Sequence, residues 1–386
     1  MSALKKMREM PGEERYEARR LAGLCGRCGG ELDRVDKNYT YCSKCAAAKA
    51  MNTKVNKAVD EAMADAQERV THRQMAKDMK ERVMFEMLRD AVVTSTAGID
   101  LSGYTKPAPY SSGPRNPETQ VALLSDVHLG RVTTDFDRRV CESRFRYYMR
   151  KIVRIADLHR TAYPIDDLYL FILGDIIDNE VLFPTQPHEI EMSVFQQIRE
   201  MTQIATEEIV GLAEHYRKVN IVAVPGNHGR VGRYHDPVTN WDNLFYLMLE
   251  ATLRSHPRIS TRIPARKEDW WMIQEVRGHP FLLHHGDSIR MWQNIPLYGI
   301  IQRGMRWQGS MPDDWEYMAM GHFHVIDAGM SWNEFEILLN GTLLSGDNFS
   351  LRNLGMASTP AQLTFGVNEH HGVTWRYPIW LNDLSE

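Results

Sequence analysis

The chain has 386 residues and a formal net charge of −4, and 43% of its residues are hydrophobic. This length allows two or three domains of roughly 100–200 residues, with ample apolar residues for a catalytic core. The sequence has no apolar run of about 18 residues, so we expect neither a membrane-spanning helix nor a membrane partner. Its first twenty residues are charged throughout and lack the apolar centre of a secretion signal, so we expect a cytoplasmic protein.

Charge is distributed unevenly along the chain. Residues 1–95 carry 19 Lys and Arg against 15 Asp and Glu, whereas the remainder carries 27 basic and 35 acidic residues. A mildly basic N-terminal region is compatible with a nucleic-acid partner. Bound cations would partly offset the acidic remainder.

Residues 1–22 are predicted to contain a charged amphipathic helix, and residues 23–48 contain four of the five cysteines. In a reducing compartment, paired CxxC motifs favour metal ligands over disulfides. Four thiolates form a closed tetrahedral site for one structural zinc ion, so we predict a zinc ribbon that folds only with its metal. Such a ribbon could be a structural staple or could contact nucleic acid or protein. Its ligands would be Cys25, Cys28, Cys42 and Cys45, while the separate Cys141 is expected to be a buried thiol.

Residues 46–93 contain no Gly or Pro and are rich in Ala, Met, Lys, Glu and Arg, which predicts one long helix, assigned as a segment over 49–95. A helix of that length needs something to pack against, so a homodimer or a protein partner through it is a hypothesis. Residues 96–118 are rich in Gly, Ser and Pro and are predicted to be a linker. We assign residues 119–386 to a catalytic domain.

In this last region, short apolar runs end in polar residues that can bind metals. The runs are QVALLSDVHLG, DLYLFILGDIID, NIVAVPGNHG, PFLLHHGD and EYMAMGHFH. Helical stretches near 135–160, 188–217, 241–255 and 291–307 separate some of them, which indicates a layered α/β fold. Ligands of such folds bind beyond the carboxyl ends of the strands, where all five polar clusters are predicted to lie.

The residue types of these clusters point to a two-metal site. Mixed carboxylate and imidazole ligands suit Mn, Fe, Zn or Mg. One carboxylate can bridge two ions about 3.5–4 Å apart, a bridging hydroxide can attack phosphorus, and both ions neutralise the developing charge. A histidine that is not a ligand could protonate the leaving oxygen. One such cluster alone would more often be structural, but five in succession predict the hydrolysis of a phosphate ester.

The order DxH, GDxxD, GNH, HHG and GHxH over residues 121–345 resembles the calcineurin-like metallophosphoesterase superfamily. The resemblance implies an α/β fold, a four-layer α-β-β-α sandwich of two mixed sheets, and two divalent ions, with Mn expected and Mg, Fe or Zn as alternatives. It implies that the first ion binds Asp126, His128, Asp175 and His324, and the second Asp175, Asn227, His285 and His322. It makes Asp175 the bridging catalytic ligand and His228 the proton donor or phosphate-orienting residue. His284 is the alternative to His285, which directly precedes the glycine as in the family.

Two departures from the family pattern narrow the resemblance. Family members often have an acid after GNH that orients the histidine, whereas this chain has Gly229. Another acid would have to replace it, with Asp236 and Asp287 as candidates, or His228 would act alone. The GDxxD motif is followed by Asn179 rather than by the Arg of Ser/Thr protein phosphatases, which argues against that class. The chain more nearly resembles the DNA-repair exonuclease branch and related phage-encoded proteins, which would act in the host cytoplasm.

Basic and aromatic residues near the motifs suggest a nucleic-acid substrate. Arg230 and Arg233 follow His228 and could bind backbone phosphates, although ordinary surface positions are the alternative. Trp270, Trp271 and Trp292 could stack on bases or belong to the core. The leading hypothesis is therefore a DNA or RNA nuclease. The alternatives are a phosphatase acting on small molecules or phosphoproteins, and a nucleic-acid-binding adaptor with a vestigial metal site, which the complete ligand set disfavours.

Overall fold

The computed structural model describes residues 12–28, 31–32, 41–96, 116–180, 182, 186–232, 236, 238–290, 296–332, 335–345 and 359–384. The chain divides into two compact units, Met1–Lys77 and Asp78–Glu386. No helix among the described residues combines the length and the apolar character that crossing a membrane requires.

The first unit contains helix α1, Gly12–Leu21, and most of helix α2, Ser43–Thr96. The long helix was predicted to begin at residue 46, but it begins three residues earlier. Cys45 therefore lies in its first turn, so the predicted ribbon and helix segments overlap instead of following one another. The helix runs on because no Gly or Pro interrupts residues 43–96. Most of the predicted linker and the start of the first predicted helix lie outside the described residues.

The second unit contains two β-sheets. The six-stranded sheet has the order β11-β10-β1-β2-β3-β4 and the five-stranded sheet the order β5-β6-β7-β9-β8. The strands are β1 Glu118–Leu124, β2 Ile165–Ile172, β3 Lys218–Ala223, β4 Ile259–Arg262, β5 Trp271–Val276, β6 His279–His284, β7 Tyr317–Met320, β8 Asp327–Trp332, β9 Phe335–Leu339, β10 Ala361–Asn368 and β11 Gly372–Trp380. The helices are α3 Arg138–Arg160, α4 Val194–Ala213, α5 Trp241–Leu253 and α6 Pro296–Gln308, and a short 3-10 helix covers Gln186–His188.

The helices of this unit begin at polar caps. Asp137 accepts the backbone N–H of Val140 at the start of α3. Ser193 and Gln196 form a reciprocal capping box at the start of α4.

Strands β1 to β4 are mutually parallel in sequence order, and α3, α4 and α5 lie in the connections between them. All five predicted strands and all four predicted helical stretches are present.

Three apolar clusters hold the layers together. The central one joins the two sheets and includes Leu123 and Phe171 from the first and Phe281 and Leu283 from the second. The outer clusters pack α3, α4 and α5 on the six-stranded sheet and α6 on the five-stranded sheet. Phe85 near the end of α2 joins the first outer cluster, with its ring 5.6 Å from that of Trp241. The predicted α-β-β-α sandwich of two mixed sheets is confirmed.

Candidate metal centre

The polar clusters follow five parallel strands of the two sheets. Strands β1, β2 and β3 are neighbours in the six-stranded sheet, and β6 and β7 are neighbours in the other. Their carboxyl ends meet at one edge of the sandwich, as expected for a ligand site of an α/β fold. We call the set gathered there the strand-end cluster: Asp126, His128, Asp175, Asn227, His285, His322 and His324.

Five members of this cluster have left-handed backbone conformations. The φ angles are 51° at Asp126, 50° at His128, 54° at Asp175, 71° at His322 and 56° at His324. Only one other non-glycine residue among those described, Arg277 in a hairpin turn, has a positive φ. Such angles are costly for residues with a Cβ atom and concentrate at functional sites. The tight turns redirect the chain after β1, β2 and β7 so that these side chains point into the shared site.

Glycines beside the cluster allow this close approach. A Cβ atom on Gly226 would lie 2.1 Å from Asp175 Oδ1, and one on Gly321 would lie 2.4 Å from Asp126 Oδ2. Only a residue without a side chain fits at these positions. The glycines of the GNH and GHxH motifs thus make room for carboxylates of neighbouring strand ends.

The first group of ligand-capable atoms comes from β1 and β7. His128 Nε2 and His324 Nε2 lie 3.1 Å apart, and His324 Nε2 lies 3.3 Å from Asp126 Oδ1. Both Asp126 oxygens also accept the backbone N–H of His322, at 3.1 and 3.0 Å. Burial would raise the pKa of Asp126, but the hydrogen bond and the charge of His324 hold it below its ordinary value. Asp126 is therefore an anionic ligand candidate.

The second group comes from β2, β3, β6 and β7. His285 Nε2 lies 3.0 Å from Asp175 Oδ2 and 3.0 Å from Asn227 Oδ1. His322 completes a group in which one ligand atom each of Asp175, His285 and His322 lie within 4.8 Å of one another. Burial would raise the pKa of Asp175, but the nearby His285 and His228 hold it well below its ordinary value.

The geometry of these atoms fits divalent cations. His285 Nδ1 donates to the Leu173 carbonyl at 2.7 Å, so Nε2 is the ring nitrogen that faces the two oxygens. Two imidazole nitrogens likewise face each other in the His128–His324 pair. Acceptors so close together repel unless a proton or a cation lies between them. Buried carboxylate, amide and imidazole donors without thiolates suit Mn, Fe, Zn or Mg.

Asp242 supports the site from behind without joining it. Its carboxylate accepts backbone N–H groups of Asp175, Ile176, Ile177 and Gly226 at 2.9 to 3.1 Å. Hydrogen-bonded supporting groups of this kind fix the orientation of ligands. We did not predict this residue from the sequence. The only signal available was an acid in the first turn of a predicted helix, which is a common position for Asp.

Asp178 is the acid that contacts His228. Its Oδ1 lies 2.8 Å from His228 Nδ1, and the carboxylate is fully buried. Another acid does serve His228, but the candidates Asp236 and Asp287 were wrong, because the GDxxD motif itself supplies the partner. Burial would lower the pKa of His228, but Asp178 and then Asp175 raise it to about 9. Gln186 and Gln197 hold Asp178 in place by hydrogen bonds to its side chain and its backbone.

His284 does not reach the strand-end cluster. Its ring is buried, with centroids 5.2 Å from Trp270 and 5.0 Å from Trp307. Successive residues of a strand point to opposite faces, so His285 points to the site and His284 points to the packing layer of α6. Burial lowers the pKa of His284 to about 3, so it is a neutral core residue.

A cavity of about 230 Å³ lies beside the strand-end cluster and is lined by Pro225, Gly226, Arg230, Trp270, Asp287 and Ser288. Arg230 forms an ion pair with Asp287 at its wall. The ring of Trp270 also packs against His284 and Trp307. This tryptophan therefore both packs against the core and lines the cavity. Trp271 lies on β5 and packs against the outer cluster of α6. Arg233 and Trp292 lie outside the described residues.

The four N-terminal cysteines also converge. Their sulfur atoms lie within 4.8 Å of one another, and Cys28 Sγ and Cys42 Sγ are 3.9 Å apart. A tetrahedral Zn–S bond of about 2.3 Å implies sulfurs about 3.8 Å apart, so the cluster fits zinc. Burial would raise the pKa of Cys25, but backbone N–H groups of Cys28, Cys42 and Arg27 lower it to about 6. In contrast, Cys141 is buried in α3 and its pKa is raised by burial.

Comparisons with known proteins agree with the architecture. The model of the family Calcineurin-like phosphoesterase matches residues 119–352. The DNA polymerase II small subunits of two Halobacterium salinarum strains are each 27% identical over 188 residues, which is 47% of this chain but 30% of each relative. The chain thus spans less than a third of those relatives.

Solved structures with related folds are more distant. The zinc complex of Vps29 from Entamoeba histolytica matches with 10% identity and a TM-score of 0.31, covering 68% of this chain and 99% of that one. The 5′-nucleotidase of Candida albicans matches with 12% identity and a TM-score of 0.33, covering 72% of this chain and 54% of that one.

Proposed function

Because the chain belongs to the calcineurin-like phosphoesterase family, and its site is that of a metal-dependent phosphoesterase, we propose that it is a nuclease that cleaves phosphodiester bonds in DNA or RNA. The observation that carries this proposal is the cavity beside Asn227 and His285. An aromatic ring, Trp270, and a cationic side chain, Arg230, line it. This pairing suits a nucleotide, because a base can stack on the ring while a phosphate meets the guanidinium.

The similarity to DNA polymerase II small subunits supports a nucleic-acid substrate or partner. It covers less than a third of those proteins, so the proposal stands mainly on the site. The seven residues of the strand-end cluster are the proposed ligands of two divalent ions, for which we propose Mn. When bound, these ions would supply an activated nucleophile and neutralise charge on the phosphoryl oxygens.

His228 is the proposed general acid. Its Nδ1 contacts Asp178, and we propose that Nε2 protonates the oxygen of the departing nucleotide. Asp178 and Asp175 favour the protonated ring, so the proton is available near neutral pH. The backbone N–H of His228 donates to Asp175 Oδ1 at 2.7 Å, which couples the position of the acid to that of the proposed bridging ligand. Arg230 would orient the phosphate on the side of the cavity.

A substrate panel with Mn²⁺ tests the proposal. Labelled single-stranded DNA, duplex DNA and RNA, together with p-nitrophenyl phosphate, are incubated with the parent chain, Asp175→Ala and the exposed control Asp313→Asn. We expect the parent and the control to cut at least one polynucleotide and Asp175→Ala to cut none. Hydrolysis of p-nitrophenyl phosphate with every polynucleotide intact would establish a phosphatase instead. Metal binding without any hydrolysis would establish an adaptor.

A further inference from the structure

A second cavity lies in the first unit beside the four cysteines. Its volume is about 360 Å³, and its walls come from α1, the first cysteine loop and the start of α2. Neither the strand-end cluster nor the proposed zinc site uses these side chains. We call it the tyrosine cleft, and its lining includes Tyr16, Arg27, Tyr41, Lys49, Asn52 and Asn56.

Two aromatic rings form one wall of the tyrosine cleft. The centroids of Tyr16 and Tyr41 lie 6.1 Å apart with an angle of 50° between the ring planes, and both side chains are half-buried. The pKa of the Tyr41 phenol is raised, first because its side chain hydrogen-bonds to that of Tyr16. The two phenols are thus linked, and both side chains line the cavity.

The residues of α2 that line the cleft are polar and cationic. Lys49, Asn52 and Asn56 follow the i, i+3, i+7 spacing, so they share one face of α2, and all three are exposed. The ammonium of Lys49 lies 4.9 Å from the centroid of the Tyr41 ring. Every charged residue in positions 41–59 is a lysine, and the first acid of α2 is Asp60. The cleft therefore lies in a region of positive charge, and none of its described lining residues is acidic.

We propose that the tyrosine cleft binds an unpaired strand of nucleic acid. Sequence-tolerant single-strand sites combine cations that follow the phosphates with aromatic faces on which bases stack. Lys49 and Arg27 supply the cations, the two tyrosines supply the faces, and the asparagine amides can hydrogen-bond to base edges. A docking site for a protein would be expected to have an apolar centre, whereas this cleft is polar around its tyrosines. The inference deepens the proposed function by naming a single strand as the bound form.

Fluorescence anisotropy with labelled oligonucleotides tests the proposal. The full chain carries Asp175→Ala so that the probes stay intact, and the probes are single-stranded DNA, single-stranded RNA and duplex DNA of equal length. We expect a single strand of DNA or RNA to bind more tightly than the duplex. Tyr41→Leu should weaken that binding about 5- to 100-fold, since it removes a stacking face. Tyr41→Phe, which keeps the ring, should bind like the parent.

Two lysines of the same helix provide a matched pair. Lys49→Gln removes a cation from the cleft, whereas Lys54→Gln removes one from another face of α2. Loss of one phosphate contact lowers the slope of log K against log salt by about 0.7 for a single strand. We expect that decrease for Lys49→Gln and a smaller one for Lys54→Gln. Unchanged zinc content shows that each variant keeps the cysteine module folded.

Several results would overturn the proposal. These are no binding by the parent, duplex binding as tight as single-strand binding, or equal affinities of Tyr41→Leu, Lys49→Gln and the parent. A protein that binds the cleft of a chain with no affinity for single strands would also overturn it. Failure of the proposed function can be told apart from failure of this inference, because cleavage is measured separately. That assay uses the parent chain, which keeps Asp175, and includes a small substrate. Binding of single strands without any cleavage by the parent chain would contradict the proposed nuclease function. Cleavage without binding that depends on the tyrosine cleft would contradict this inference.

Discussion

The two candidate metal sites of this chain differ in what holds their ligands in place. Five of the seven residues of the strand-end cluster are buried, and the cluster extends from strands of a large layered core. The four cysteines belong to a unit in which, among residues 12–28 and 41–63, Cys25 is the one buried apolar side chain. The first site is therefore supported by a packed core. The second gathers its ligands in a segment too small to have a core of its own.

This difference makes opposite predictions for the loss of a ligand. At the strand-end cluster, substitution should remove activity and leave the structure folded. At the cysteine cluster, substitution should remove local structure and leave the chemistry intact. At the first site, five of the seven residues have a strained left-handed backbone. The packing of the surrounding sheets must offset the energetic cost of that strain.

The largest effect is expected for Asp175→Ala. Asp175 is the proposed bridging ligand, and its loss removes several kcal/mol of charge stabilisation, or more than about 10³-fold in rate. Measurement of kcat/KM on a phosphodiester with Mn²⁺ and of metal content checks this, and both should fall together. Circular dichroism should stay unchanged, as in the control Asp313→Asn. A variant that keeps both ions and its rate would remove Asp175 from the bridging position.

His228→Ala sharpens the comparison, because it should separate chemistry from metal binding within one site. Loss of a general acid slows turnover about 10²- to 10⁴-fold, while the strand-end cluster keeps its ligands. Single-turnover rates and metal analysis of the same preparation test this, with the exposed His371→Ala as the control. An unchanged rate contradicts the role of His228 as acid, and a loss of metal would make it a ligand.

Asp178→Asn should have a smaller effect, because it weakens the support of His228 without removing the acid. Outer partners of active-site groups typically contribute about 10- to 100-fold. The amide keeps one oxygen to accept from Gln186 or from the ring of His228, but it cannot stabilise the charged ring as the carboxylate does. Loss of the carboxylate should lower the pKa of His228, so less of the ring is protonated at high pH. The rate at high pH should therefore fall more than the rate at low pH. Equal losses at every pH would contradict this.

The contact between Asp178 and His228 also shows which features of the site could be predicted from the sequence and which could not. The five apolar runs predicted the strands, their ends and the meeting of their polar residues, because each signal is local and repeated. The partner of His228 could not be predicted in this way, because it depends on how the ends of β2 and β3 turn toward each other. His284 and His285 could be separated by the alternation of a strand only once its faces were known. Asp242 escaped notice because nothing local distinguishes it from any other acid in the first turn of a helix.

The smallest effect on catalysis is expected for Cys42→Ser, and it tests the other half of the comparison. With three thiolates the zinc site should fail, and without a core the segment around it should unfold. Limited proteolysis should therefore cut within residues 12–58 of Cys42→Ser but not of the neighbouring control Lys44→Gln. The rate on a small phosphodiester should stay within about twofold of the parent, because the strand-end cluster is held by the two-sheet core. If the protease pattern stayed that of the parent, the cysteine module would have a source of stability other than its metal. If the rate on the small substrate fell when the cysteine module unfolded, the two sites would be coupled. The independence that we infer from the different burial of their ligands would then be wrong.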